Sequence, residues 1–146
     1  MTYDVQSADA LLEWKESLET GMALIDEQHR TLVEQIKVLA DHSRPDRVLE
    51  TIVFLQNYVV EHFGTEERMH RETDYPRAEE HRDVHKAFIQ AFLKFKKEYD
   101  ANGGGERPFM LLELTKLLSV WLEEHITGMD RWFADYYHAS FPASLE

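Results

Sequence analysis

Four stretches of this chain repeat their apolar residues at three- and four-residue spacing, and the links between them are short and full of helix breakers. That pattern admits few folds. The first stretch runs from about Gly21 to Asp41, with Ile25, His29, Leu32, Ile36 and Leu39 on one face. Ser43-Arg44-Pro45 ends it. Ser43 suits an N-cap and Pro45 a first helical turn, so a second helix is expected from there to about His70, with Val48, Ile52, Leu55, Val59, His62 and Glu66 on its inner seam. Asp74-Tyr75-Pro76 makes the next link, and a third helix spans about Arg77 to Tyr99 with His81, His85, Phe88, Phe92 and Phe95 on one stripe. Asn102-Gly103-Gly104-Gly105 stops it. The fourth helix starts near Pro108 and carries Leu111, Leu114, Leu118, Trp121, Leu122 and His125, with Arg131 to His138 extending it or capping the bundle.

Short links between long amphipathic helices favour antiparallel neighbours. The expected fold is therefore all-α, an antiparallel up-down-up-down four-helix bundle over residues 20–138. Residues 1–19 form an N-terminal lead-in arm packed on the bundle, because Trp14 beside Leu11 and Leu12 would make a poor exposed surface. Residues 139–146 form a C-terminal tail.

With 146 residues, 43% hydrophobic and 30% charged, the chain suits one soluble helical domain. A formal charge of −12 argues against nucleic acid, since phosphate binding needs a basic face and the Lys and Arg residues do not form one. No apolar run approaches the roughly 20 residues of a membrane span. The first twenty residues lack the basic start and apolar core of a signal peptide, so a cytoplasmic location is expected. There is no cysteine, so any metal must be held by imidazole, carboxylate or water.

Five of the eight histidines, His29, His62, His81, His85 and His125, continue the apolar seam of their helix, and each of the four helices supplies at least one. Antiparallel threading brings all five to one end of the bundle. His62 and Glu66, and likewise His81 and His85, are four residues apart, one turn along a helix face, so each pair can reach one metal or bridge two. His125 and Asp130 are five apart, about 140° around an ideal helix, so this pair needs a distorted ladder or a helix end, which Gly128 would ease. Singly, a histidine on an apolar face is an ordinary core residue, and Glu66 or Asp130 an ordinary helix acid. Together, five imidazoles and two carboxylates buried at one level are costly without something positive to bind. His42, His70 and His138 are assigned to the surface; Asp26, Glu27 and Gln28 could orient metal-bound imidazoles through their free N–H, but a solvated first turn is the reading preferred for them.

The segments Asp26-Glu27-Gln28-His29, His62-Phe63-Gly64-Thr65-Glu66-Glu67, Tyr75-Pro76 followed by His81 and His85, and Trp121-Leu122 followed by His125-Ile126 and Asp130 resemble the successive motifs of the hemerythrin family. They occur in order, at family-like intervals, over roughly residues 14 to 137. The resemblance implies two iron ions joined by an oxo or hydroxo bridge. One is bound by His81, His85 and His125, the second by His29 and His62, and Glu66 and Asp130 bridge them. The second iron is then one ligand short, and the resemblance implies that O2 binds there reversibly as a hydroperoxide, for storage, transport or delivery. A dry pocket is required, and Ile25, Trp121 and Leu122, each within about a turn of a ligand, are its candidate walls; ordinary core is the competing reading for all three, and the resemblance favours the pocket for Trp121 and Leu122. Two other roles stay open. One is an O2- or redox-sensing domain, which would carry a signalling output; the other is a di-iron enzyme reducing peroxide or nitric oxide. A protein partner, whether an oxygenase or a signalling output, is not identified by the sequence.

Overall fold

A computed structural model describes residues 12–41, 47–101 and 107–141. Its helices are α1 (Ala23–Ala40), α2 (Val48–Glu72), α3 (Ala78–Ala101), α4 (Arg107–His125) and α5 (Arg131–Ser140), with a 3-10 turn at Glu16–Leu18. A five-residue π-helical segment, Ile126–Asp130, joins α4 to α5 without a break. The protein is an all-α four-helix bundle in which α1 packs on α2, α2 on α3, and α1 on α4. His29 at the start of α1 meets His62 near the end of α2, while His81 at the start of α3 meets His125 at the end of α4, so successive helices run antiparallel. Leu11, His42, Ser43, Pro45 and the Asn102–Gly105 stop lie outside the described residues, and with them the two linkers expected there. No helix among the described residues is long and apolar enough to cross a membrane.

The core is built from the seams the periodicity marks: Leu32, Ile36, Ile52, Leu55, Phe88, Phe92, Leu114 and Leu118 are buried in one cluster. Truncating any one of these leucines to alanine costs about 2–5 kcal/mol, so the core fixes the helices that carry the site. Leu12 is buried in the same cluster with Trp14 packed against it, and the Leu12 amide donates to Ser119 Oγ. A second, smaller cluster of Met22, Ile25, Tyr75, Phe133 and Ala134 closes the end of the bundle where the histidines gather.

The entry to α1 is shaped by Asp26. Its carboxylate accepts from the amides of Thr20 and Gly21 and from the Thr20 hydroxyl, holding the preceding turn against the helix start. Gly21 sits at φ +80°, where a side chain is strained, and a Cβ there would stand 2.8 Å from His138 Nε2. His138 in turn donates to the Thr20 carbonyl, and Arg131 to the carbonyls of Ser17 and Glu19, so α5 ties the lead-in to the bundle.

Candidate metal centre

The bundle brings all seven expected ligand residues to one buried level, each no more than 4% exposed. His29 comes from α1, His62 and Glu66 from α2, His81 and His85 from α3, and His125 from the end of α4. Asp130 ends the π segment, whose wider turn removes the angular mismatch of a five-residue spacing and aims the carboxylate at the same point as His125. A Cβ at Gly128 would meet nothing within 4 Å, so the segment does not need glycine there for space.

The donor atoms fall into two groups, Glu66, His81, His85, His125 and Asp130 in one and His29, His62, Glu66 and Asp130 in the other. Both carboxylates are shared, and each turns a different oxygen to each group. Glu66 Oε1 is 3.1 Å from His85 Nε2 and 3.6 Å from His81 Nε2, while its Oε2 is 3.5 Å from His62 Nε2 and 3.7 Å from His29 Nε2. Asp130 Oδ1 is 3.1 Å from His81 Nε2 and 3.2 Å from His125 Nε2, and its Oδ2 is 3.0 Å from His29 Nε2. His125 Nε2 also stands 3.1 Å from Nε2 of both His81 and His85.

These separations fit ligands around a common point. Neighbouring ligands of an ion with bonds of about 2.1 Å stand about 3 Å apart. Despite the short distances, Glu66 Oε1, both Asp130 oxygens, and Nε2 of His29 and His62 have no hydrogen-bond partner among the described residues. Buried polar atoms left so are costly, and two cations would satisfy them all. The set is imidazole and carboxylate without thiolate, which suits iron, manganese or zinc.

In the metal-free chain, burial lowers His29, but the Asp130 and Glu66 carboxylates beside it outweigh that and raise it to about 9. Burial likewise opposes charge on both carboxylates, yet the surrounding imidazoles win, holding Glu66 at about 2 and Asp130 well below the ordinary range. Burial lowers His62 to about 4, which keeps that imidazole neutral, the form a metal requires. The carboxylates are thus ionised and act on their surroundings as an anionic pocket.

Residues 20–137 match the family model described as hemerythrin HHE cation binding domain. The chain belongs to the hemerythrin family. It is 34% identical to a bacteriohemerythrin of Stenotrophomonas maltophilia over 133 residues, covering 89% of this chain and 84% of that protein. A bacteriohemerythrin of Pseudomonas paraeruginosa is 32% identical, with 86% and 81% covered, and a myohemerythrin of Theromyzon tessulatum 28% identical, with 81% and 87% covered. The family and the buried His, Glu and Asp cluster together fit a metal site.

Around this hemerythrin-family cluster the structure corrects several surface assignments. Gln28 is buried, not solvated; its Oε1 lies 2.7 Å from His62 Nδ1, and its amide donates to Thr65 Oγ1. Asp26 is buried as well, leaving only Glu27 of that turn exposed. Glu67 reaches past the cluster to His85 Nδ1 at 2.9 Å. His70 is 1% exposed, one turn beyond Glu66 on the His62 stripe, a spacing that was the signal for its burial. His138 is half-buried against Thr20. Of the three expected pocket walls, Ile25 and Leu122 are buried, in the small and large clusters respectively. Trp121 is partly buried, stacked 4.5 Å from the His125 ring at 11° and 4.1 Å from Phe88.

Proposed function

We propose that this chain reversibly binds molecular oxygen at a pair of iron ions, one held by His81, His85 and His125 and the other by His29 and His62, with Glu66 and Asp130 bridging the two. The observation that carries this reading is the asymmetry of the donor groups: five protein residues converge on one side and four on the other, around the same two carboxylates. The ion beside His29 and His62 has one protein ligand fewer, and that side is where a small ligand is accommodated. When bound, the ferrous pair supplies the electrons and the vacant coordination position for uptake of O2. The names of the relatives, bacteriohemerythrin and myohemerythrin, agree with this assignment.

The chain's own residues do the rest. Gln28 and Glu67 take the outer nitrogens of His62 and His85, fixing which ring nitrogen faces inward and how each ring is turned. Ile25 and Leu122, both buried and each about one turn before a histidine of the centre, are the hydrocarbon walls assigned to keep water from it. Trp121 lies flat on His125 and shields the three-imidazole side.

The test is optical. Iron-loaded protein is reduced without air, exposed to O2 and then purged. A ligand-to-iron charge-transfer band that appears and vanishes with O2 supports reversible binding. Direct passage to a stable diferric spectrum contradicts it.

A further inference from the structure

His70 is buried, and neither of its ring nitrogens has a partner among the described residues, an expensive position for an imidazole. Its ring is wedged 4.5 Å from Phe133 and 5.0 Å from Tyr75, where a hydrocarbon side chain would pack without that penalty. The other neighbour is a ligand: the His81 ring lies 4.6 Å away, and Nδ1 of His81 is itself buried without a partner among the described residues. A histidine bound to metal through Nε2 carries its hydrogen on Nδ1 and ordinarily donates it to a carboxylate, a carbonyl or water. His62 has Gln28 for this and His85 has Glu67. Nδ1 of His29 also lacks a partner among the described residues, but the imidazole set edge-on to it, His62, is already committed to Gln28.

We propose that His70 is the positioning residue for His81: it accepts the Nδ1 hydrogen of that ligand and so fixes its tautomer and its aim into the three-imidazole group. With Nε2 of His81 kept in the cluster, a rotation of the His70 ring about its own broad terminal torsion is the adjustment that would turn one of its nitrogens to that hydrogen. The role extends the site by one turn along α2, with His62, Glu66 and His70 on a single stripe serving as ligand, bridge and outer support. This inference rests on the two-ion reading.

The test uses the full chain and ferrous ion with a competing chelator, in wild type, His70→Phe and His70→Gln, together with melting of each metal-free protein. His70→Leu serves in place of His70→Phe should the larger ring fail to fit. The apolar variants remove an unpartnered imidazole, so their metal-free melting temperature holds or rises while affinity for iron falls by roughly 10–100-fold. His70→Gln, which keeps an acceptor, restores most of the affinity. Unchanged affinity in the apolar variants overturns the role, as does a parallel loss of stability and affinity in all variants, which marks simple packing. A wild type that takes up no pair of ions overturns the two-ion reading instead.

Discussion

Replacing Gln28 with leucine separates the two halves of the centre. Gln28 Oε1 stands 2.7 Å from His62 Nδ1, and its amide group donates to Thr65 Oγ1 at 3.3 Å. Thr65 loses little, because its hydroxyl also donates to the Glu61 carbonyl. His62 loses the one outer partner it has among the described residues. With a metal on Nε2 the hydrogen must sit on Nδ1, and a buried N–H left unpaired costs about 1–3 kcal/mol, or about 5- to 150-fold in affinity. The metal-free chain avoids part of this, since the hydrogen can move to Nε2, where the Glu66 carboxylate, with Oε2 3.5 Å away, favours it electrostatically without a hydrogen bond. Affinity for the ion beside His29 and His62 therefore falls more than metal-free stability does, while the ion beside His81, His85 and His125 is held nearly as before. Anaerobic ferrous titration against a chelator reads both steps. Equal weakening of the two steps, or none, refutes the reasoning.

Leu122→Asp places a carboxylate at a position only 5% exposed; iron content should be unchanged and autoxidation several-fold faster, followed by the loss of the oxygenated spectrum, and an unchanged rate removes Leu122 from the pocket. Metal-free stability should peak near pH 6.5. His29, raised from 6.5 to about 9, stabilises the fold fully below pH 6.5 and loses that contribution as pH climbs through 9, whereas His62 and His70, both lowered by burial to about 4, withdraw theirs as pH falls from 6.5 through 4. Melting in the presence of a chelator across pH 4–9 checks this, and a monotonic trend contradicts it. Gly21→Ala forces a side chain onto φ +80° and against His138, and should cost about 1–3 kcal/mol, a fall of several degrees in melting temperature with iron content intact.

The bundle and the buried level of the candidate ligands were legible because both follow from periodicity: a residue four positions from a core residue on the same helix is itself inward, which places His62 with Glu66 and His81 with His85. The five-residue step from His125 to Asp130 was legible as a demand for distortion, and the π segment meets it. The outer partners were less so. Gln28 and Glu67 each adjoin a candidate ligand in sequence, which on a helix turns them about 100° away from it, and only the bundle's other helices bring His62 and His85 within their reach. Asp26 was misread because its partners precede the helix, in a turn that no periodicity marks. His70 lay on the stripe of His62 and Glu66, but its burial depends on Phe133 and Tyr75, which α5 and the α2–α3 link supply from elsewhere in the chain.

The central claim is that Glu66 and Asp130 each bridge two ions. Crystals of the iron-loaded protein, measured for anomalous scattering at the iron edge, test it most directly. Two peaks of comparable height are expected, one among His81, His85 and His125 and one beside His29 and His62, each within bonding distance of one oxygen from either carboxylate. A single peak, or two peaks that do not share both carboxylates, contradicts it.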